Sequence, residues 1–399
     1  MNVAVRRPHR FDPAEATATL DRLADELAAW AQSVRPEDGG PGRFCWAVET
    51  TRPANIASTR YILEGLRHAG VLDRAWTDDD KDAAVAWLES IRGGGEQYRD
   101  PALFRGDRPD LVSDDPARAS GAVASINQYA RLILEHCGES SGAASDSSPP
   151  PDWPQADDDP ERMLEWIRTR PYDQRAWGAC SHGMRMTRFM LDWHKRGLLT
   201  LEPIVEAIDF FYSIQDPQTG LWGTAEQPRN VRINGAFKLL VMLREQLDLP
   251  LPHADELMDE VFAQFARLDY DRTVNGCDEW DNLYVLAMCR GQTRRDRDDE
   301  LAELAARRLR RIPEIFGKPD GGLSFLSDHC QTHWLDIEMA PVKPQGDAMG
   351  CCILSCAIDQ CVDFLGLAGR TSWIGRWQAL TPEPVEIRRF QIRRRFQGY

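Results

Sequence analysis

The string "NGCDEWDN" places Asp278 and Asp281 three residues apart, so both carboxylates share one face of any helix running through it. Two carboxylates crowded into a partly dry cavity titrate apart, and one stays protonated near neutral pH. A carboxyl group held in that state is a general acid, able to protonate an alkene or a glycosidic oxygen. The bland alternative is that both acids cap a helix N-terminus and pair with nearby arginines. Histidines form a second set. His182 stands in "ACSHGMRM", one turn before Arg185. His329 and His333, in "SDHCQTHW", are four apart; on a helix they would share a face and could exchange protons. The preceding "DGGLSFLSD" reads as a loop, and no HExxH pattern points to a bound metal. Asn234 and Lys238, also four apart, set an amide and an ammonium along one face, which suits a diphosphate or a uronate. Mg2+ is implied only if the substrate is a diphosphate.

The elements that must position these groups are helical throughout. Apolar recurrence at i, i+3, i+4 and i+7 predicts two interleaved classes of helix. One class is amphipathic, with a charged face: Pro13–Trp30, Asp79–Ile91, Pro160–Ile167, Glu202–Ile214, Ala254–Phe265 and Asp298–Ile312. Each is followed by a segment with few charges, and such helices are covered on more than one side. These are "NIASTRYILEGL", "SGAVASINQYARLIL", "SHGMRMTRFMLDW", "INGAFKLLVML", "DEWDNLYVLAM" and "GDAMGCCILSCAIDQCV". Six outer helices alternating with six inner ones predict an all-α fold, an (α/α)6 toroid. The connectors agree: "SIRGGGEQY", "SIQDPQTGLWG" and "IFGKPDGGLSF" each place Gly, Pro or Asp first and an aromatic later. In a toroid the inner-helix starts ring a central funnel. Asn127, His182, Arg185, Asn234, Lys238, Asp278, Asp281, His329, His333 and Asp347 are the polar residues expected to face it.

One connector carries a more specific pattern. Gln215, Gly220 and Trp222 form Q-x4-G-x-W after the aromatics Phe210, Phe211 and Tyr212. This resembles the QW repeat of the terpenoid cyclases, whose α/α toroid is shared with the β subunits of protein prenyltransferases. "GDAMGCCILSCAI" is similar to the prenyltransferase segment that supplies a zinc-binding His, with Asp347, Cys352, Leu354 and Ser355 matching and Gly350 in the place of that His. "VNGCDEW" resembles the segment giving two further ligands; Cys277 matches one, and Asn275 replaces the Asp of the other. The resemblance therefore implies the toroid, and a cyclase-like, acid-initiated reaction of an isoprenoid rather than zinc-dependent prenyl transfer. The cyclases' Asp-x-Asp-Asp motif is absent. "TDDDKD", its nearest match together with "CDEWDN", reads as a helix cap after Thr77. Polar inner-helix starts keep a carbohydrate lyase or hydrolase open as an alternative, and a non-catalytic ligand-binding toroid as another.

Composition bounds the partners. A net charge of −15 over 399 residues argues against nucleic acid. No apolar run is long enough to span a membrane, and the first residues lack a signal peptide's apolar stretch, so a cytoplasmic location is expected. Cys351, Cys352, Cys356 and Cys361 fall within one apolar helical pattern, as buried thiols in a reducing compartment do. The Ser/Pro/Asp-rich stretch at about 138–160 reads as a mobile insertion in one toroidal domain, residues 1–379. The arginine-rich tail, 380–399, offers a peripheral contact to an anionic membrane surface.

Overall fold

The computed structural model describes residues 12–37, 40–93, 97–112, 114–139, 149 and 152–375. The basic tail and the centre of the 138–160 insertion (140–148, 150 and 151) lie outside them. From Asp152 onward the insertion is packed: Trp153 is 7% exposed, its ring 4.4 Å from that of Trp166.

The fold is all-α. Its main helices are α1 (Pro13–Ser33), α2 (Ile56–His68), α3 (Asp78–Ser90), α4 (Pro116–His136), α5 (Pro160–Arg168) and α6 (Ala176–Lys195). After these come α7 (Glu202–Ser213), α8 (Arg229–Leu240), α9 (Ala254–Phe265), α10 (Gly276–Cys289), α11 (Asp298–Phe316) and α12 (Ala348–Phe364). Every helix expected from the apolar periodicity is present. Two short hairpins were not expected: β1 (Phe104–Arg105) with β2 (Arg108–Pro109), and β3 (His333–Trp334) with β4 (Ile337–Glu338). Pairs this short have no room for the alternation that marks a strand.

Capping fixes where the helices start. Thr77 and Asp80 exchange side-chain and backbone bonds at α3, so "TDDDKD" is a helix cap, as its position after Thr77 suggests. Asn55 with Ser58 does the same at α2, and Asn275 and Asp347 cap α10 and α12. Beyond Leu240, α8 widens into a π-helical turn, Val241–Gln246.

Among the described residues the even-numbered helices pack α2 on α4, α6 on α8, α8 on α10, α10 on α12 and α12 on α2, whereas α4 and α6 make no comparable contact. Their starts also meet. Ile56 N–H donates to Asp100 before α4, and Ala176 N–H to Gln227 before α8. Gly276 N–H donates to Phe325 O before α12, and Ala348 N–H to Trp46 O before α2. These helices therefore begin at a common end. Gly65 and Gly235 allow the closest approaches: an added Cβ would lie 2.6 Å from Cys351 Sγ and 3.1 Å from the Ala176 backbone, respectively. The first and last described segments are joined as well, since Trp373 donates its indole N–H to Leu20 O of α1 at 2.9 Å.

The Q-x4-G-x-W turn shows how successive helix pairs are stapled. Gln215 Nε2 donates to Gly220 O (2.8 Å) and to Pro252 O (3.1 Å), just ahead of α9, while Trp222 Nε1 donates to Phe211 O (2.8 Å). An isolated bridge closes this turn between Gln215 and Trp222, and the same device joins Arg92 to Tyr98 and Gly317 to Leu323 in two other connectors. Gly220 has φ +65°, and a Cβ there would sit 2.6 Å from His253 O and 2.9 Å from Leu257 N. Gly220→Ala is therefore expected to cost roughly 2 kcal/mol or more, from left-handed strain plus the clash. Urea denaturation reads this directly, and a loss under about 0.5 kcal/mol would dissociate the turn from stability.

Candidate functional site

The acids anticipated at α10 lie where that helix faces α8. Asp278, 5% exposed, accepts from Asn234 Nδ2 (3.1 Å) and from Asn275 Nδ2 (2.9 Å), with Asn230 Nδ2 at 3.5 Å. Burial raises its pKa, and these amide donors partly offset the rise. Asp281 is 1% exposed, and its Oδ1 has no hydrogen-bond partner. Its pKa is pushed up to about 7: burial is the main cause, the Lys238 charge opposes it, and Asp278 adds to it. Both carboxyl groups are raised, and the main cause is desolvation rather than repulsion between the two acids.

Lys238 rests its ammonium over the Phe237 ring at 4.4 Å and makes no ion pair with any described carboxylate. The simple pairing of this lysine with the acids of α10 is thus absent, whereas Asn234 does bridge to Asp278. Phe237 in turn packs edge-on against Trp280 (4.9 Å) and Tyr284 (4.8 Å). Trp280 therefore belongs to this wall rather than to a connector, while Trp46 and Trp222 are wholly buried.

On α6, Arg185 lies over Trp153 at 5.1 Å, and burial and the nearby Arg188 lower its pKa. His182 sits against Trp153 (5.2 Å) and Trp166 (6.0 Å) with an exposed edge; loss of water and then Arg185 hold its pKa below the usual histidine value. An imidazole so placed is neutral at pH 7 and can accept a proton.

Four expected site residues serve elsewhere. Asp347 is fully buried and spends its oxygens on backbone N–H groups of Phe325 (2.9 Å), Gln331 (2.8 Å) and Gly350 (2.7 Å). It clamps the long connector onto α12, leaving no oxygen for substrate. Asn127 accepts from Tyr98 N–H (2.8 Å), stapling a connector to α4. His329 lies in a loop, bonded to Asp328, and His333 is an exposed residue of β3 paired with Glu338. The shared helical face that would couple these histidines does not exist, because the chain there is a loop and a hairpin.

Other charged residues on these helices were not anticipated. Arg60 of α2 bonds Cys352 Sγ (3.5 Å), lies over Tyr61 and Tyr129 (5.0 and 5.2 Å), and leaves Nε without a partner. Glu245, carried by the π-helical turn, accepts from Tyr284 Oη at 2.8 Å, and burial pushes its pKa up to about 7. Arg188 is partnered by the Gln246 amide oxygen at 2.9 Å once that amide is oriented by its neighbours. The sequence did hold a signal: an arginine inside an otherwise charge-poor helix, as in "STRYIL" and "MTRFML", needs a reason to be there.

Behind Arg60, His68 joins Asp359 (3.0 Å) and Glu64 (3.2 Å) in a buried chain that locks α2 to α12. Cys351, Cys352, Cys356 and Cys361 are all buried thiols of α12. Among the described residues no three His, Cys, Asp or Glu side chains converge to hold a metal ion, and no helix is long and apolar enough to cross a membrane. No family model, no curated protein and no solved structure matches this chain, so geometry alone carries its functional reading.

Proposed function

We propose that the chain is an α/α toroid enzyme performing acid–base chemistry on an anionic, polar substrate, with Asp281 as the acid. The common end of the even-numbered helices and the packing of α12 on α2 support the ring. The observation that carries the substrate class is the set of cations on the inner helices. Arg60, Arg185, Arg188 and Lys238 make no ion pair with a described carboxylate, in a protein carrying a net charge of −15. Arg60, Arg185 and Lys238 are half-buried and Arg188 is exposed, so these cations stay within reach of a ligand that would supply the negative charge.

A uronate-containing oligosaccharide fits this lining best. Lys238 and Arg185 would hold its carboxylate, and the Asn230 and Asn234 amides would take hydroxyls. Asp281, still protonated near neutral pH, would donate to the glycosidic oxygen. His182 or Glu245 would accept the proton lost elsewhere on the substrate. The isoprenoid cyclisation implied by the QW-like turn fits less well. Carbocations are stabilised by free aromatic faces. Here Arg60, Lys238 and Arg185 already occupy those of Tyr61, Tyr129, Phe237 and Trp153.

Incubation with uronate oligosaccharides and, separately, with isoprenoid diphosphates, products read by mass spectrometry, decides between the readings. Cleaved or unsaturated oligosaccharides are expected. Cyclised hydrocarbon would overturn the substrate class, and turnover of neither would leave a binding toroid.

A further inference from the structure

Away from the acids, the connectors leading into α2, α4 and α12 enclose a cleft of 480 Å³. It opens at the end of the molecule where the even-numbered helices begin, since Ala54 immediately precedes the Asn55 cap of α2 and Asp100 receives the Ile56 N–H. We infer that this cleft is a second carbohydrate-binding subsite, in which a sugar ring stacks on Trp87 and its hydroxyls bond Arg43, Thr51 and Glu338. The inference rests on the proposed function: an oligosaccharide anchored here would lie at the end of the molecule where the even-numbered helices begin, the end at which Asp278 and Asp281 open α10.

Chemistry and rigidity both support this. The cleft is charge-balanced, with Arg43 and Arg52 against Asp100 and Glu338, so it is not built for a phosphate or a polyanion. It combines one aromatic surface with planar donors and acceptors, the combination that a ring with an apolar face and an equatorial belt of hydroxyls requires. Trp87 is half-buried, and the Arg43 guanidinium lies over its ring, 5.6 Å from the centroid, so a sugar would take the face that Arg43 does not cover. The remaining walls are fixed in advance. Arg52 is held by Asp110 (2.5 Å), Glu338 O (3.1 Å) and Ala102 O (3.2 Å). Asp100, 1% exposed, is held by the N–H groups of Ile56 (2.7 Å) and Ala102 (2.9 Å). A site whose walls are already ordered loses little entropy on binding. Such pre-formed clefts of roughly 300–1,000 Å³ are the usual form of small-ligand sites.

Isothermal titration calorimetry of the full chain with oligogalacturonides and with neutral cello-oligosaccharides tests the inference. Binding of at least one series is expected, and Trp87→Ala should weaken it tenfold or more. Glu338→Gln, on an exposed hairpin position that does not threaten folding, should weaken it several-fold. No binding of either series, or binding that both cleft variants leave intact, would overturn the subsite. The two readings fail separately. Binding lost in Trp87→Ala without turnover by the wild type keeps the subsite and removes the proposed enzyme. Turnover that both cleft variants leave at wild-type KM keeps the enzyme and removes the subsite.

Discussion

Asp281→Asn is expected to reduce turnover by roughly 10²–10⁴-fold, the usual contribution of a positioned general acid, while the protein stays folded. The variant keeps the shape of the side chain and removes its titration. That makes a second, substrate-free measurement available. In the folded protein Asp281 has a pKa of about 7, because it is buried with one oxygen unpartnered. In the unfolded chain it ionises near pH 4. Between those values the folded state binds the extra proton, so stability falls as pH rises from about 4 to about 7 and then levels off. The full shift is worth about 4 kcal/mol, and Asn at this position abolishes that part of the pH dependence. Chemical denaturation of both proteins at pH 5 and pH 8 checks it. A wild type no less stable at pH 8 than at pH 5, relative to the variant, would mean that Asp281 is ionised and cannot be the acid.

The second large effect is structural and lies one residue from the first acid. Glu279 of α10 is fully buried and receives both Arg308 Nε and Nη2 of α11 at 2.8 Å, with Tyr270 Oη at 3.1 Å. Arg308, 3% exposed, also reaches Asp271 (2.7 Å) and lies over Tyr270 (5.1 Å). Glu279→Leu or Arg308→Met each strands a buried charge and is expected to cost about 3–5 kcal/mol. Replacing both, as Glu279→Leu with Arg308→Met, should cost less than the sum, because no unpaired charge is left behind. Urea midpoints of the two single variants and the double variant measure the coupling. Strict additivity would show that the pair does not act as a unit. Because Glu279 shares a helix turn with Asp278 and Asp281, this bridge also fixes the rotation of α10 that turns those acids toward α8.

Much of this arrangement was legible in the chain. Alternating amphipathic and charge-poor helices, the Gly- and aromatic-bearing connectors and the cap after Thr77 are local features. They depend on periodicity, backbone conformation and hydrogen bonds within a few residues, and all appear in the structure. Asp278 and Asp281 were legible as a pair because helical spacing alone puts them on one face. Asp347 and Asn127 show where this reasoning stops. Their types suit substrate binding, yet their oxygens are taken by backbone N–H groups of connectors that no spacing rule locates. The same limit hid Glu245, whose direction is set by a π-helical turn, and the cleft beside Trp87, whose walls come from connectors distant in sequence.

The sequence by itself thus determined which segments are helices, which faces are apolar and which residue types were available for chemistry. Those properties arise from contacts within a few residues of each other. Only the tertiary structure decided which polar side chains keep a free oxygen or an unpaired charge. Desolvation and hydrogen-bond competition come from whatever packs alongside, and the fold brings those partners from tens to hundreds of residues away.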